Sequence, residues 1–341
     1  MIALSPHLPG PLWLTPPNSA ALRRSITMDA IRDTSDGLLH LGLYGRDAWI
    51  GNTQNPLPTA EIFLSAHDRN GGTISTQRFE PPSEINLVGV PLMRGFRAAC
   101  ASALAQEPLI HSLQTALLAE VPELAVISLY AQMRDSVPHR ERLDGDLVTR
   151  INVCSGWSAG GELAIRSRSD HEADILMAGP YVDRPEPTNG WHYERSAPAG
   201  TVRRRRRIDV VHQADRIVIQ AHQRDTFVEL DLTETVFHEW VVDASVDPET
   251  FIVVDIAASP RVLPGAECPR ASDSTAALIG LSIFDARVAM ANLPATSTCT
   301  HLNGTIRSIA DASDLIAGRN RPANRSAEAN ERDVDLDHPR T

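Results

Sequence analysis

No lysine occurs in the 341 residues, so all 32 side chains of the Lys+Arg count are arginines. That absence excludes a Schiff-base lysine, a pyridoxal phosphate anchor and the lysine of a P-loop nucleotide site. Arginine does not fill these roles, because it stays protonated and is not nucleophilic. A GC-rich coding sequence accounts for the bias, but the chemical exclusion holds either way. Cysteine is also scarce: four in the whole chain make no disulfide framework, and a reducing cytoplasm is the expected compartment. No apolar run approaches the roughly 18–20 residues that cross a bilayer. The start of the chain lacks a basic region and is broken by Pro6, Pro9 and Pro11, which argues against a signal peptide. With 43 acidic residues and a net charge of −11, neither nucleic acid nor an acidic membrane surface is an expected partner.

What is present is an ordinary apolar content, 42%, enough to bury a sizeable core. Self-similarity organises it. The stretch Arg24-Ser-Ile-Thr-Met-Asp-Ala-Ile-Arg-Asp-Thr34 overlays Arg216-Ile-Val-Ile-Gln-Ala-His-Gln-Arg-Asp-Thr226. The match continues through Trp49 on Trp240, Leu87-Val-Gly89 on Leu278-Ile-Gly280, and His111 on His301. In the second copy, β-like patterning covers 216–223, 228–232, 238–244 and 251–258. A helix is predicted over 276–292 with Leu278, Leu281, Phe284 and Val288 on its inner face. Thr298 or Thr300 caps a second helix running to about Asp311. The first copy reads likewise, with helices near 85–106 and 111–119. The expected class is α+β: two tandem homologous units, each an antiparallel sheet of three or four strands followed by two helices. Residues 20–125 form the diverged first repeat, 126–200 a structured connector with a strand at 147–153, and 201–317 the second repeat. The polar tail 318–341 is expected to be disordered. Two such units form an internal pseudo-dimer; the oligomeric state is not visible.

The second repeat carries the candidate chemistry. His238 lies on a predicted strand, Cys268 in the following loop, and Cys299 and His301 at the start of the last helix. A Cys2His2 set suits zinc, and iron is the other choice. A helix N-terminus would favour the Cys299 thiolate, which makes Cys299 and His301 the catalytic candidates. In the first repeat only His111 keeps its counterpart.

These residues bring the second repeat close to a known family. Arg204-Arg-Arg-Arg-Ile-Asp209, Arg224-Asp-Thr226, the His238 strand, Cys268-Pro269, Leu278-x-Gly280 and Cys299-Thr-His-Leu302 resemble the bacterial domain of unknown function 2889 family. The resemblance covers about 203–315 and implies importance for Cys299 and His301, but no reaction.

Two further features compete. Gly156-Trp-Ser158-Ala-Gly160 fits the Gly-x-Ser-x-Gly nucleophile elbow, but the helix that should follow reads as short and β-like. Nearby Cys154, Ser155 and Trp157 would line a pocket between the copies. The run Arg203–Arg207 offers guanidinium forks for an anion, with Arg204, Arg206, Arg207 and Trp157 as substrate-binding candidates. Its bland alternatives are the charged, edge-protecting start of a strand or internal ion pairing. The functional expectation is therefore a cytoplasmic metal-dependent enzyme. It would hydrate, hydrolyse or cleave a small organic acid or thioester at Cys268, Cys299, His301 and His238. The alternative is a non-catalytic binding or assembly module in which a metal is structural or absent.

Overall fold

A computed structural model describes residues 21–33, 37–50, 59–67, 72–104, 112–131, 151–166, 191–192, 194–312 and 315–316. Its centre is an eight-stranded antiparallel sheet. The strands are β1 (Ala21–Asp33), β2 (Leu38–Ile50), β3 (Thr59–His67), β4 (Ile74–Glu80), β5 (Val202–His212), β6 (Ile217–Val228), β7 (Glu234–Val246) and β8 (Val253–Val262). Their spatial order is β4-β3-β2-β1-β5-β6-β7-β8. Each half of the chain thus contributes a four-stranded meander, and the two meet where β1 pairs antiparallel with β5 from Leu22↔Val210 to Ala30↔Val202. The two separate sheets expected from the sequence are one continuous sheet. The unpaired edges that two small sheets would expose are joined to each other.

Helices cover one face. They are α1 (Phe96–Leu104), α2 (Ser112–Ala119), α3 (Val121–Ile127), α4 (Glu162–Arg166), α5 (Ala286–Ala291) and α6 (Thr300–Ile309). Helix α2 lies over β2 and β3, α6 lies over β5, β6 and β7, and α3 touches both β1 and α6. Residues Leu113–Ala131 form one helical run long and apolar enough to cross a membrane by length and composition, although the sequence reading found no such run. Most of that run is buried within the molecule.

Two apolar clusters lie on this side. One gathers Ile26, Met28, Leu41, Leu43, Ile62, Leu117, Val121 and Leu124. The other gathers Ile208, Ile219, Trp240, Val242, Leu302 and Ile306. Alternation along each strand delivers these side chains to one face.

Several local expectations change. Residues 268–278 are a 3-10 segment, and only Ala286–Ala291 is α-helical within the predicted helix 276–292. Gly280 stops it: its φ of +83 is left-handed backbone, which a helix does not continue through. Leu281, Phe284 and Val288 are consequently exposed rather than inward-facing. Residues 229–232 turn between β6 and β7 with Leu232 at φ 66, so no strand runs through them. At 151–153 the chain turns instead of continuing the expected strand 147–153. The overlay of Arg24 on Arg216 sets β1 against β6, whereas in the sheet β1 lies beside β5. His111, most of the connector and the tail 318–341 lie outside the described residues.

Candidate functional site

The arginine run sits at the middle of the sheet. Arg203 to Arg207 are all at most 2% exposed, on a strand flanked by neighbours on both sides. It is therefore not an edge-protecting segment. Alternation sends Arg203, Arg205 and Arg207 to one face and Arg204 and Arg206 to the helix-covered face. Each guanidinium is occupied by partners that pattern reading along the chain does not bring together. Arg203 grips Asp29 with two bonds of 2.6 and 2.7 Å. Arg23 grips Asp209 in the same way at 2.7 and 2.9 Å. Arg24 holds Asp47 at 2.8 and 3.0 Å, and Arg204 holds Asp225 at 2.7 and 3.0 Å.

The remaining arginines of the run are equally engaged. Arg205 is shared by Glu194 and Glu234. Although burial pushes the Glu194 carboxyl up, Arg205 and Arg203 hold it at about 2. Arg206 pairs with Glu120 at 2.5 Å and with Gln223. Arg207 pairs with Asp209 at 3.0 Å and with Gln220. A charge this far from water is tolerated only when paired and hydrogen-bonded. The predicted substrate-holding arginines are thus spent on internal carboxylates.

Asp225 is the hub of the helix-covered side. Besides Arg204, its carboxylate accepts from Gln223 at 3.2 Å and from His301 Nδ1 at 2.5 Å. Burial pushes the Asp225 carboxyl up, but Arg204 and His301 outweigh it and keep it ionised far below the carboxylate range. An ionised carboxylate only accepts, so His301 carries its proton on Nδ1 and leaves Nε2 as a lone pair. Burial, opposed by Asp225, lowers the His301 imidazole below its ordinary value, so the ring is neutral at neutral pH. Its side chain retains 14% exposure.

His238 stacks on His301 with ring centroids 3.5 Å apart and planes within 5°. Phe237 stands edge-on to both rings. Burial pushes His238 well below the usual imidazole value, and its Nδ1 has no hydrogen-bond partner among the described residues.

The four residues predicted as metal ligands therefore divide. His238 and His301 are brought together, but as a stack whose in-plane lone pairs run parallel rather than converging on one ion. His301 Nδ1 is already committed to Asp225. Cys268 and Cys299 lie elsewhere, in the apolar cluster of the second half. Cys299 is the N-cap residue of α6, but the thiolate expected there is not favoured. Burial pushes its thiol up to about 12, and Cys268 is raised for the same reason. Among the described residues no group of three or more His, Cys, Asp or Glu side chains is placed to hold a metal ion.

Trp157 packs half-buried against the same cluster. Ser158 sits in a turn ahead of the five-residue α4, and the described residues before it, 151–157, turn rather than form a strand. Among the described residues no histidine is hydrogen-bonded to it, and the strand-turn-helix geometry of a nucleophile elbow is not present there. Asp225 is not among the residues singled out from the sequence; its only signal there is its place in the Arg-Asp-Thr stretch shared by 24–34 and 216–226.

With this geometry in hand, residues 202–314 match the family described as protein of unknown function (DUF2889). The match spans β5 to α6 and takes in Arg204, Asp225, His238 and His301; the first half of the sheet lies outside it. No curated protein and no solved structure matches the chain.

Proposed function

We propose that the chain is an enzyme that moves a proton on a small organic substrate, with His301 as the general base. The observation that carries this is the Asp225–His301 pair. A buried, ionised carboxylate fixes the Nδ1–H tautomer, and the opposite nitrogen belongs to a ring that still reaches the surface. An imidazole oriented in this way is the usual agent of proton abstraction near neutral pH. Arg204 keeps Asp225 charged, and the flat face of His238 limits the tilt of the His301 ring. Hydration, hydrolysis and elimination all need such a base, and all three remain within the proposed class. The test is a screen of small organic acids and thioesters with the wild type and His301→Gln. A general base contributes about 10²–10⁴-fold, so a hit should lose that factor in kcat with KM little changed. A turnover that survives the substitution undiminished overturns the reading.

We also infer that the two halves descend from one unit. Arg23 and Asp29 in β1 stand at the same spacing as Arg203 and Asp209 in β5, and the two strands pair so that each arginine meets the other's aspartate. Arg24–Asp47 and Arg204–Asp225 then repeat between β1 and β2 and between β5 and β6. Among the described residues only Asp225 carries a histidine, and on this reading the second half bears the chemistry while the first serves as scaffold.

A second reading, a non-catalytic assembly module, is favoured by one surface. Val254, Ile279, Phe284 and Val288 are 49–63% exposed on neighbouring segments, joined by the bond from Val253 N to Leu281 O. A contiguous apolar patch of this kind suits self-association. Light scattering over a dilution series tests it, and a monomer at every concentration removes it.

A further inference from the structure

Three of the four cysteines, all free thiols, come together around the start of α6. Cys154 lies in the turn 151–158, Cys268 opens the 3-10 segment, and Cys299 is the N-cap residue. The turn is fastened to the helix start by a backbone hydrogen bond from Ser155 N to Thr298 O, 2.8 Å long.

That bond fixes how far apart two cysteines are. The donor nitrogen is joined through its peptide group to the Cα of Cys154, and the acceptor oxygen through its own to the Cα of Cys299. Standard peptide dimensions added to the hydrogen bond leave the two Cα atoms no more than about 8 Å apart. A disulfide spans Cα atoms roughly 4.4–6.8 Å apart, so the pair lies within that span or about 1 Å beyond it, a gap that a small shift of the turn closes.

Access and surroundings agree. Cys154 is the one of the three with solvent exposure, whereas Cys268 and Cys299 are buried. The backbone N–H groups of Gly156 and Trp157 face the Cys154 sulfur, and those of His301 and Leu302 face the Cys299 sulfur. Burial raises both thiols, and each set of N–H groups offsets only part of that rise. The charge of Cys154 is felt at both Cys299 and Cys268, which places the three sulfurs close together. Cys268 lies against Gly156, where a Cβ would collide with its sulfur, so it packs on the following peptide of the turn.

We propose that Cys154 and Cys299 are a redox modification site, closed to a disulfide by a peroxide. The Cys154 thiolate attacks the peroxide, takes one oxygen as a sulfenic acid and releases water once a proton is supplied. The Cys299 sulfur then attacks the sulfenic sulfur, the S–S bond forms, and the hydroxyl leaves with the thiol proton as a second water. Two thiols lose two hydrogens and two electrons, and the peroxide is reduced to two waters. The bond ties the turn to the cap of the helix that carries His301, two residues before it. It does not depend on the proton-transfer reading, because it is read as a covalent link and not as turnover.

The experiment treats the full chain with hydrogen peroxide, alkylates the remaining thiols and maps the peptides by mass spectrometry. The expected result is a peptide carrying Cys154 joined to Cys299, a fall from four titratable thiols to two, and return to four with dithiothreitol. Cys268→Ser keeps the link and Cys154→Ser abolishes it, with thermal melting confirming that both variants fold. The proposal is overturned if Cys154 stops at a sulfinic acid with Cys299 still free. A link to Cys268 instead overturns it too. So does wild-type protein whose thiols resist the peroxide because they hold zinc, shown by release of the metal on mercurial titration.

Discussion

Asp225 accepts the Nδ1 proton of His301 on the oxygen that also takes one arm of Arg204, so one carboxylate orients the ring and neutralises the guanidinium. Asp225→Asn removes the charge both partners depend on. Breaking one member of a buried pair costs about 3–5 kcal/mol, because the other charge is left uncompensated. Urea unfolding should show a loss in that range. A loss below about 1 kcal/mol would mean that Glu120 and Glu123, both 3.4 Å from Arg204, carry the arginine alone.

Acid should destabilise the fold in a defined window. Burial holds both His222 and His192 at about 4, below the ordinary 6.5. Between those values the unfolded chain binds protons that the folded chain refuses, so stability rises with pH there. It is lost as pH falls from about 6.5 to about 4, at a slope of up to roughly 1.4 kcal/mol per unit for each fully shifted group. His222→Gln should flatten the profile measured by denaturant unfolding at each pH. A curve unchanged by the substitution would assign the acid loss elsewhere.

The two crossed pairs of the central seam can be weighed against each other. Arg23→Ala leaves Asp209 with Arg207 as its remaining arginine, and Asp209→Ala takes a carboxylate from both Arg23 and Arg207. Each single change should cost about 3–5 kcal/mol. The double variant should cost less than the sum by about 1–3 kcal/mol. Simple additivity in calorimetry would show that the seam is held by backbone pairing alone.

Gly304 offers a test of sign. Alanine in a helix interior is ordinarily preferred to glycine by about 1 kcal/mol. On α6, however, a Cβ at this position would strike Glu123 Oε2 and lie 3.0 Å from Arg206 Nη2. Gly304→Ala should therefore destabilise, by about 1–3 kcal/mol as overpacking does. A raised melting temperature would refute this account of the contact between α6 and α3.

The exposed patch predicts a separation of stability from assembly. Val288 is 63% exposed and Phe284 52%, so replacing either with Glu should change stability by no more than about 0.5 kcal/mol. If the patch joins copies of the chain, the same variants should be monomeric by light scattering where the wild type is not.

The sequence disclosed some of this and concealed the rest for physical reasons. The α6 start with its Cys299-Thr-His-Leu302 element was legible to within a residue, because a helical period is a local signal, although Cys299 rather than Thr298 or Thr300 takes the cap position. The β-like alternation of β6 and β8 was legible for the same reason. The fate of the arginine run was not, since a string of charges reads as a solvated surface until its partners are known. Asp29 stands 174 residues from Arg203, and only the pairing of β1 with β5 brings them together. The overlay of the two halves set β1 against β6, whereas in the sheet β1 pairs with β5. The Arg-Asp signature recurs in several strands of one barrel-less sheet, and similarity along the chain does not say which strand is the neighbour. Cys154 was noticed for its polar surroundings, but its nearness to Cys299 exists only through the fold. The inward face assigned to Phe284 and Val288 failed at a single backbone angle, that of Gly280.

The pairing of β1 with β5 also bears on what counts as a unit of this protein. The segment that resembles a family begins at β5, in mid-sheet. Excised at that boundary, it would present as its outer margin a strand of five successive arginines, with Asp29 and Glu120 left on the discarded piece. Sequence kinship and mechanical independence therefore have different borders here. The smallest piece of chain that satisfies β5 is larger than the piece evolution has labelled.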